Sequence, residues 1–157
     1  MALTKEQIEK FKEAEKEAQD SDDFREVAKN IAEAGDKEWA KKTYEKAEEK
    51  TDDPYELYYL AQCICENLGD KEWAKKTYEK VEEKAKDYSQ FESLANDICE
   101  KLGDKDWGKK LYKKAESKAK YFYEINQVAA SICEKLGDKE WAIKLYQKAE
   151  KKAEDSS

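Results

Sequence analysis

The chain has no histidine, and its 157 residues include one proline, one methionine and five glycines. Lack of histidine excludes His-based nucleophilic triads, the common zinc sites and imidazole pH switching. Proline and glycine are the strongest helix breakers, so their scarcity leaves most of the length free to be helical. A basic excess is missing too: 31 Lys and Arg face 38 Asp and Glu, a formal charge of −7. Nucleic-acid binding calls for a clustered basic face, so no nucleic-acid partner is expected. Lysine and glutamate mix on the same segments, as in Lys75-Lys76-Thr77-Tyr78-Glu79-Lys80, which reads as a solvated helix face. Long apolar runs are also absent, and nothing approaches the roughly 18 residues of a membrane span. The first twenty residues carry charge throughout instead of a signal peptide's apolar middle. No membrane partner is expected, and the setting is read as cytoplasmic.

What the chain does have is a repeat. Gly-Asp-Lys-Glu-Trp-Ala, or a close variant, recurs with its glycines at Gly35, Gly69, Gly103 and Gly137, 34 residues apart each time. Such a period marks stacked helical hairpins. In the first copy Phe24, Val27, Ala28 and Ile31 stand three and four apart, which places them on one helix face. Gly35 ends that helix as a left-handed residue. Asp36 is the N-cap of the next helix, which buries Trp39, Ala40, Tyr44 and Ala47. Asp53-Pro54-Tyr55-Glu56 sets out an N-cap, a first-turn proline and a capping-box glutamate in order. Asp87 with Gln90 repeats the box, and Asp20 with Asp23 approximates it. Ala40, Ala74, Gly108 and Ala142 form a column of small residues. Gly108 costs about 1 kcal/mol against Ala inside a helix, so close packing is expected to require it. The column Trp39, Trp73, Trp107 and Trp141 supplies a large filler, whose truncation to Ala costs about 3–5 kcal/mol where buried. Copies two to four carry one more residue before the glycine than copy one.

The pattern Phe24-x2-Val27-Ala28-x2-Ile31, then Ala40-x3-Tyr44, resembles the tetratricopeptide repeat family. Leu57, Leu60, Ala61, Ile64, Ala74 and Tyr78 repeat it, as do Phe91, Leu94, Ala95, Ile98, Gly108 and Tyr112. Ile125, Val128, Ala129, Ile132, Ala142 and Tyr146 do so again. The resemblance implies an all-α, right-handed helical-hairpin solenoid, with hairpins over 20–52, 53–86, 87–120 and 121–154. Before them, in 1–19, Ile8, Phe11, Ala14 and Ala18 form the stripe of an N-terminal capping helix, and 155–157 are expected to fray. It further implies protein or extended-peptide binding on a concave face lined by the first helix of each hairpin. The matching positions are Arg25 and Lys29, then Tyr55, Tyr58, Tyr59 and Gln62. They continue as Glu92 and Asn96, then Tyr123, Asn126 and Gln127. Hairpins spaced by about 10 Å would give a groove roughly 40 Å long, room for about 10 extended residues. The family's clamp for a C-terminal carboxylate is matched only by Arg25, Lys29 and Asn96. Tyr59, Ser89 and Ser93 fill other clamp positions, so that ligand is disfavoured.

Bland readings stand beside these. The tyrosines of the first helices serve equally as packing between hairpins. Cys65, Cys99 and Cys133 share one column and read as small hydrophobes, with Cys63 alone two residues before Cys65. Glu66, Glu100 and Glu134 form a column that is either a solvated edge or a row selecting a basic peptide. No phosphate loop, nucleophile elbow or paired acid and base is present, so catalysis, a cofactor and a metal are not expected. Ile143 replaces the lysines Lys41, Lys75 and Lys109 and reads as an exposed Ile in preference to a sticky end, so a monomer is expected. Two alternatives to peptide binding stay open: a structural or self-assembly module, and an engineered repeat without a native ligand.

Overall fold

A computed structural model describes residues 2 to 157. Among them every regular element is helical. The α-helices are α1 (Lys5–Glu17), α2 (Ser21–Glu33), α3 (Lys37–Glu49), α4 (Pro54–Cys63), α5 (Lys71–Lys84), α6 (Tyr88–Asp97), α7 (Lys105–Lys118), α8 (Phe122–Leu136) and α9 (Lys139–Asp155). Helices pack chiefly in neighbouring pairs, α2 on α3, α4 on α5, α6 on α7 and α8 on α9.

The repeat motif builds each hairpin by capping. Asp36, Asp70, Asp104 and Asp138 each accept a hydrogen bond from the amide of the tryptophan three residues on, at 3.0–3.1 Å. This satisfies one of the orphan donors at the start of the second helix. Complete capping boxes open α2 from Asp20 and α6 from Asp87. The box expected from Asp53 and Glu56 is built differently. Asp53 caps the amides of Tyr55 and Glu56, while its own amide donates to the Thr51 hydroxyl, which in turn donates to Glu56.

In two of the three copies that carry it, the extra residue has a local consequence, whereas α8 carries it and stays α-helical to Leu136, before Gly137 at φ 67°. In copy one α2 is α-helical up to its C-cap Ala34, with Gly35 beyond it at φ 107°. In copies two and three the first helix widens into a π-turn, over Ile64–Leu68 and Ile98–Leu102, before Gly69 and Gly103 at φ 65° and 66°. A π-turn absorbs one added residue without rotating the preceding apolar stripe off the core.

The helices group into two compact units, one through Lys84 and the other Ala85–Ser157. In the first, Ala28, Ile31, Tyr44 and Ala47 are sealed from solvent, as are Leu60, Ala61, Ile64, Ala74 and Tyr78. In the second, Leu94, Ala95, Ile98, Leu111, Tyr112 and Ala115 join Val128, Ala129 and Ile132.

Tryptophans 39, 73, 107 and 141 are half-buried, so the full cost of truncating a buried Trp does not apply to them. Two of them, Trp39 and Trp141, are held at an edge by their indole N–H. Trp39 Nε1 donates to Glu15 at 3.0 Å, and Glu15 also accepts from Thr43 Oγ1 at 3.3 Å and pairs with Lys46 at 2.6 Å. Glu48 on α3 serves the next hairpin in the same way, accepting from Thr77 Oγ1 at 2.8 Å and pairing with Lys80 at 3.4 Å. Glu116 on α7 takes Trp141 Nε1 at 3.2 Å. These glutamates form a clasp between successive second helices. Glu15 occupies the same place on α1, so α1 lies against α3 as α3 lies against α5. Phe11 adds an edge-on ring contact to Trp39, with centroids 6.0 Å apart. At the other end α9 continues through Asp155, and the Ser156 and Ser157 hydroxyls donate to the carbonyls of Lys152 and Ala153.

Candidate functional site

The residues expected to face a ligand lie on the first helices α2, α4, α6 and α8, where the repeat aligns Arg25, Tyr58, Glu92 and Asn126 in one column. In the first unit the Arg25 guanidinium lies 5.4 Å from the centre of the Tyr59 ring, is bonded to Asp22 at 3.0 Å and interacts with the Cys63 thiol. In the second unit Glu92, at the position of Arg25, accepts from Gln127 Nε2 at 2.7 Å and from Ser131 Oγ at 2.5 Å. Gln127 and Ser131 stand at the positions of Tyr59 and Cys63. One place on a first helix therefore grips two places, four residues apart, on the next first helix. The grip is cationic and aromatic in one unit and a charge-assisted hydrogen-bond pair in the other.

This latch changes the reading of several expected residues. Glu92 is only 5% exposed, and both carboxylate oxygens are committed to α8. A buried carboxylate held this way joins hairpins and is not offered to a ligand. Gln127 and Tyr59 take part in the latch yet keep exposed surface. Tyr58 is half-buried, its ring 5.5 Å from Tyr59 and 6.3 Å from Tyr78, and belongs to an aromatic cluster. Asn96 accepts from the Tyr112 hydroxyl.

Lys29 and Gln62 are half-buried on α2 and α4, and Asn126 is half-buried on α8. Tyr55 and Tyr59, one turn apart on α4, are 57% and 48% exposed, and Tyr123 is 55% exposed.

Several contributors have no place among the expected residues. Asn67 Nδ2 donates to the Tyr44 hydroxyl at 2.8 Å, and Ser131 completes the second latch. Tyr121 and Tyr123 stack with planes 8° apart and centroids at 5.5 Å, while Phe122 meets Tyr123 edge-on. A sequence signal for that cluster exists: Tyr121 stands where Asp20, Asp53 and Asp87 cap their helices, and no side-chain cap bond replaces theirs.

Electrostatics follow burial. Burial pushes the Tyr44 phenol well above its ordinary value, although the Asn67 amide opposes this, and burial does the same to Tyr112. The Cys63 thiol is also raised by burial, against the opposing charges of Arg25 and Lys29, and Cys99 is raised by burial. Such thiols are poor nucleophiles at neutral pH. The acidic column is partly neutralised, since Lys135 pairs with both Glu100 and Glu134. All four cysteines are free and half-buried. Among the described residues no group of three or more Cys, Asp or Glu side chains could hold a metal ion, and no helix is long and apolar enough to cross a membrane. The chain matches no family model, no curated protein and no solved structure.

Proposed function

We propose that this chain is a tetratricopeptide-like solenoid that binds an extended peptide or protein segment on its first helices, without catalysis or cofactor. The observation that carries the reading is the exposed pair Tyr55 and Tyr59 on α4, flanked by the Arg25 guanidinium. Rings held one turn apart on a rigid helix supply contact area at low entropic cost, and tyrosine is among the residues enriched in binding hot spots. Tyr123 with Asn126 and Gln127 gives the second unit a smaller surface of the same kind, where amides can pair with a peptide backbone. The latches fix the spacing of these first helices, so Arg25 and Glu92 act as positioning residues for the exposed tyrosines and Gln127. Free half-buried thiols suit a reducing intracellular compartment.

The test is retention of a random peptide library by wild-type protein beside Tyr55→Ala and Tyr55→Ala/Tyr123→Ala variants. Both side chains are more than half exposed, so the variants keep the fold. The reading expects selected peptides to lose about tenfold or more in affinity for the double variant. Equal retention by all three proteins removes it.

A further inference from the structure

Five of the seven large hydrophobic residues exposed among the described ones lie in the last hairpin: Tyr121, Phe122, Tyr123, Ile143 and Tyr146. Terminal repeats ordinarily carry a polar outer face. This one has gained apolar surface, and the repeat columns show where on α9 it lies. On α3 the stripe Lys41, Tyr44 and Glu48 is the side that receives the following hairpin. Tyr44 is fully buried and takes a bond from Asn67, and Glu48 takes Thr77 and Lys80. On α7 the same stripe holds Lys109, Tyr112 and Glu116, with Tyr112 fully buried and Glu116 bonded to Trp141. On α9 it holds Ile143, Tyr146 and Glu150. Here Tyr146 is 41% exposed, Ile143 is 55% exposed, and Glu150 is also exposed.

A head-to-tail copy cannot fill this face well. The outer side of α1 carries Glu6, Lys10 and Glu13 at the positions where inner copies present Trp39, Thr43 and Lys46. Glu6 and Glu13 would then approach Glu150 in place of the indole donor and the lysine, so that Lys10 is the one opposite charge, between two carboxylates that repel Glu150. The stripe is complementary to itself instead. Lys139, Ile143, Tyr146 and Glu150 follow one another at intervals of four, three and four residues, which keeps them on one helix face. Lys139 stands four residues before Ile143, and Glu150 four residues after Tyr146. Two α9 helices packed antiparallel about a two-fold axis between Ile143 and Tyr146 therefore set Ile143 against Tyr146 twice. The same register sets Lys139 against Glu150 at both ends. Among the described residues, neither Lys139 nor Glu150 has an ion-pair partner within the chain.

We propose that this stripe of α9 is an isologous interface through which two copies of the chain form an antiparallel dimer. Each copy supplies the same apolar pair and the same outer charges, as two-fold symmetry requires. The inference rests on the last hairpin alone and stands or falls independently of peptide binding on the first helices.

Sedimentation equilibrium of the full chain from about 1 μM to about 1 mM tests it. The wild type is expected to show a reversible monomer–dimer equilibrium. Ile143→Lys installs the residue that the other three copies carry and is expected to raise the dissociation constant about tenfold or more. Lys139→Glu alone should also weaken the dimer, whereas Lys139→Glu with Glu150→Lys should restore it, because only the sense of the pair is reversed. A monomer at every concentration overturns the proposal, as does a dimer indifferent to Ile143→Lys. Open-ended oligomers, or a double charge variant no better than the single one, overturn it equally.

Discussion

At the scale of single residues, Gly108 shows how a column in the sequence can mislead. It is buried inside α7 where the other copies have alanine, and glycine there suggests a backbone too close for a methyl group. A Cβ at Gly108 would meet the Cys99 Sγ at 2.3 Å, but the nearest backbone atom, the Ala95 carbonyl oxygen, would be 3.6 Å away. The obstruction is therefore a thiol that can turn about one bond. The same two columns hold Cys65 with Ala74 and Cys133 with Ala142, so the helix pair accommodates a methyl and a thiol together. Glycine inside a helix costs about 1 kcal/mol relative to Ala. Gly108→Ala should thus be neutral or stabilising by up to about 1 kcal/mol, and the full gain should appear when Cys99→Ala is added. Urea unfolding of both variants beside Cys99→Ala alone checks this, and the coupling between the two substitutions measures what turning the thiol costs. A loss of stability in both would mean that the helices cannot accept a methyl group at all.

Between elements, the clasp glutamates join α1 to α3, α3 to α5 and α7 to α9. Glu15 is the best furnished of them: burial works against its charge, yet hydrogen bonds from Lys46, Trp39 and Thr43 and the Lys46 charge together hold its carboxyl below the ordinary value. The sign of the linkage follows. A depressed folded-state pKa means that the contribution is fully present above the unfolded carboxylate value, near about 4.3. It is lost as the pH falls through the lower folded-state value. Glu15→Gln keeps the shape and an acceptor oxygen but loses the charge. It should therefore be less stable than wild type at pH 7, by about 1 kcal/mol, with the gap closing as the pH drops below about 4. Chemical denaturation of both proteins across that range decides it, and a gap independent of pH would show that the charge contributes nothing. Neither clasp nor latch was legible in the sequence, for a common reason. Glu15 and Trp39, or Arg25 and Tyr59, are tens of residues apart, and each glutamate or arginine taken alone looks like part of a solvated face. The helices themselves were legible because apolar spacing and Asp caps are local. The extra residue in copies two to four could be counted in the sequence, but only backbone geometry reveals that a π-turn takes it up in copies two and three and not in copy four.

At the scale of the molecule, the first and last of the four hairpins differ in what covers them. A hairpin covers its apolar faces only when something lies against both sides of it. The alignment of Ile8, Phe11, Ala14 and Ala18 made the helix α1 itself readable, whereas the exposed face of the last hairpin could not be judged until burial was known. α1 has no fully buried residue of its own. Its value lies in what it covers: it shields the edge of Trp39, packs Phe11 against that indole, and gives the Thr43 hydroxyl and the indole N–H their acceptor. Removing residues 2 to 18 leaves Trp39 and Thr43 facing water and uncovers the first hairpin, while the Trp141–Glu116 clasp of the second unit is untouched. Such a truncation should cost about 2–4 kcal/mol, from apolar area returned to water and the lost hydrogen bonds. Urea unfolding followed by tryptophan fluorescence reads this loss, and hydrogen exchange locates it. Faster exchange should be concentrated in α2 and α3, with α8 and α9 keeping their protection. Full stability after truncation would make α1 an appendage and deny Glu15 a role equivalent to Glu48. Equal weakening of both units would mean that they unfold as one cooperative body, so that a cap at one end sustains the whole array.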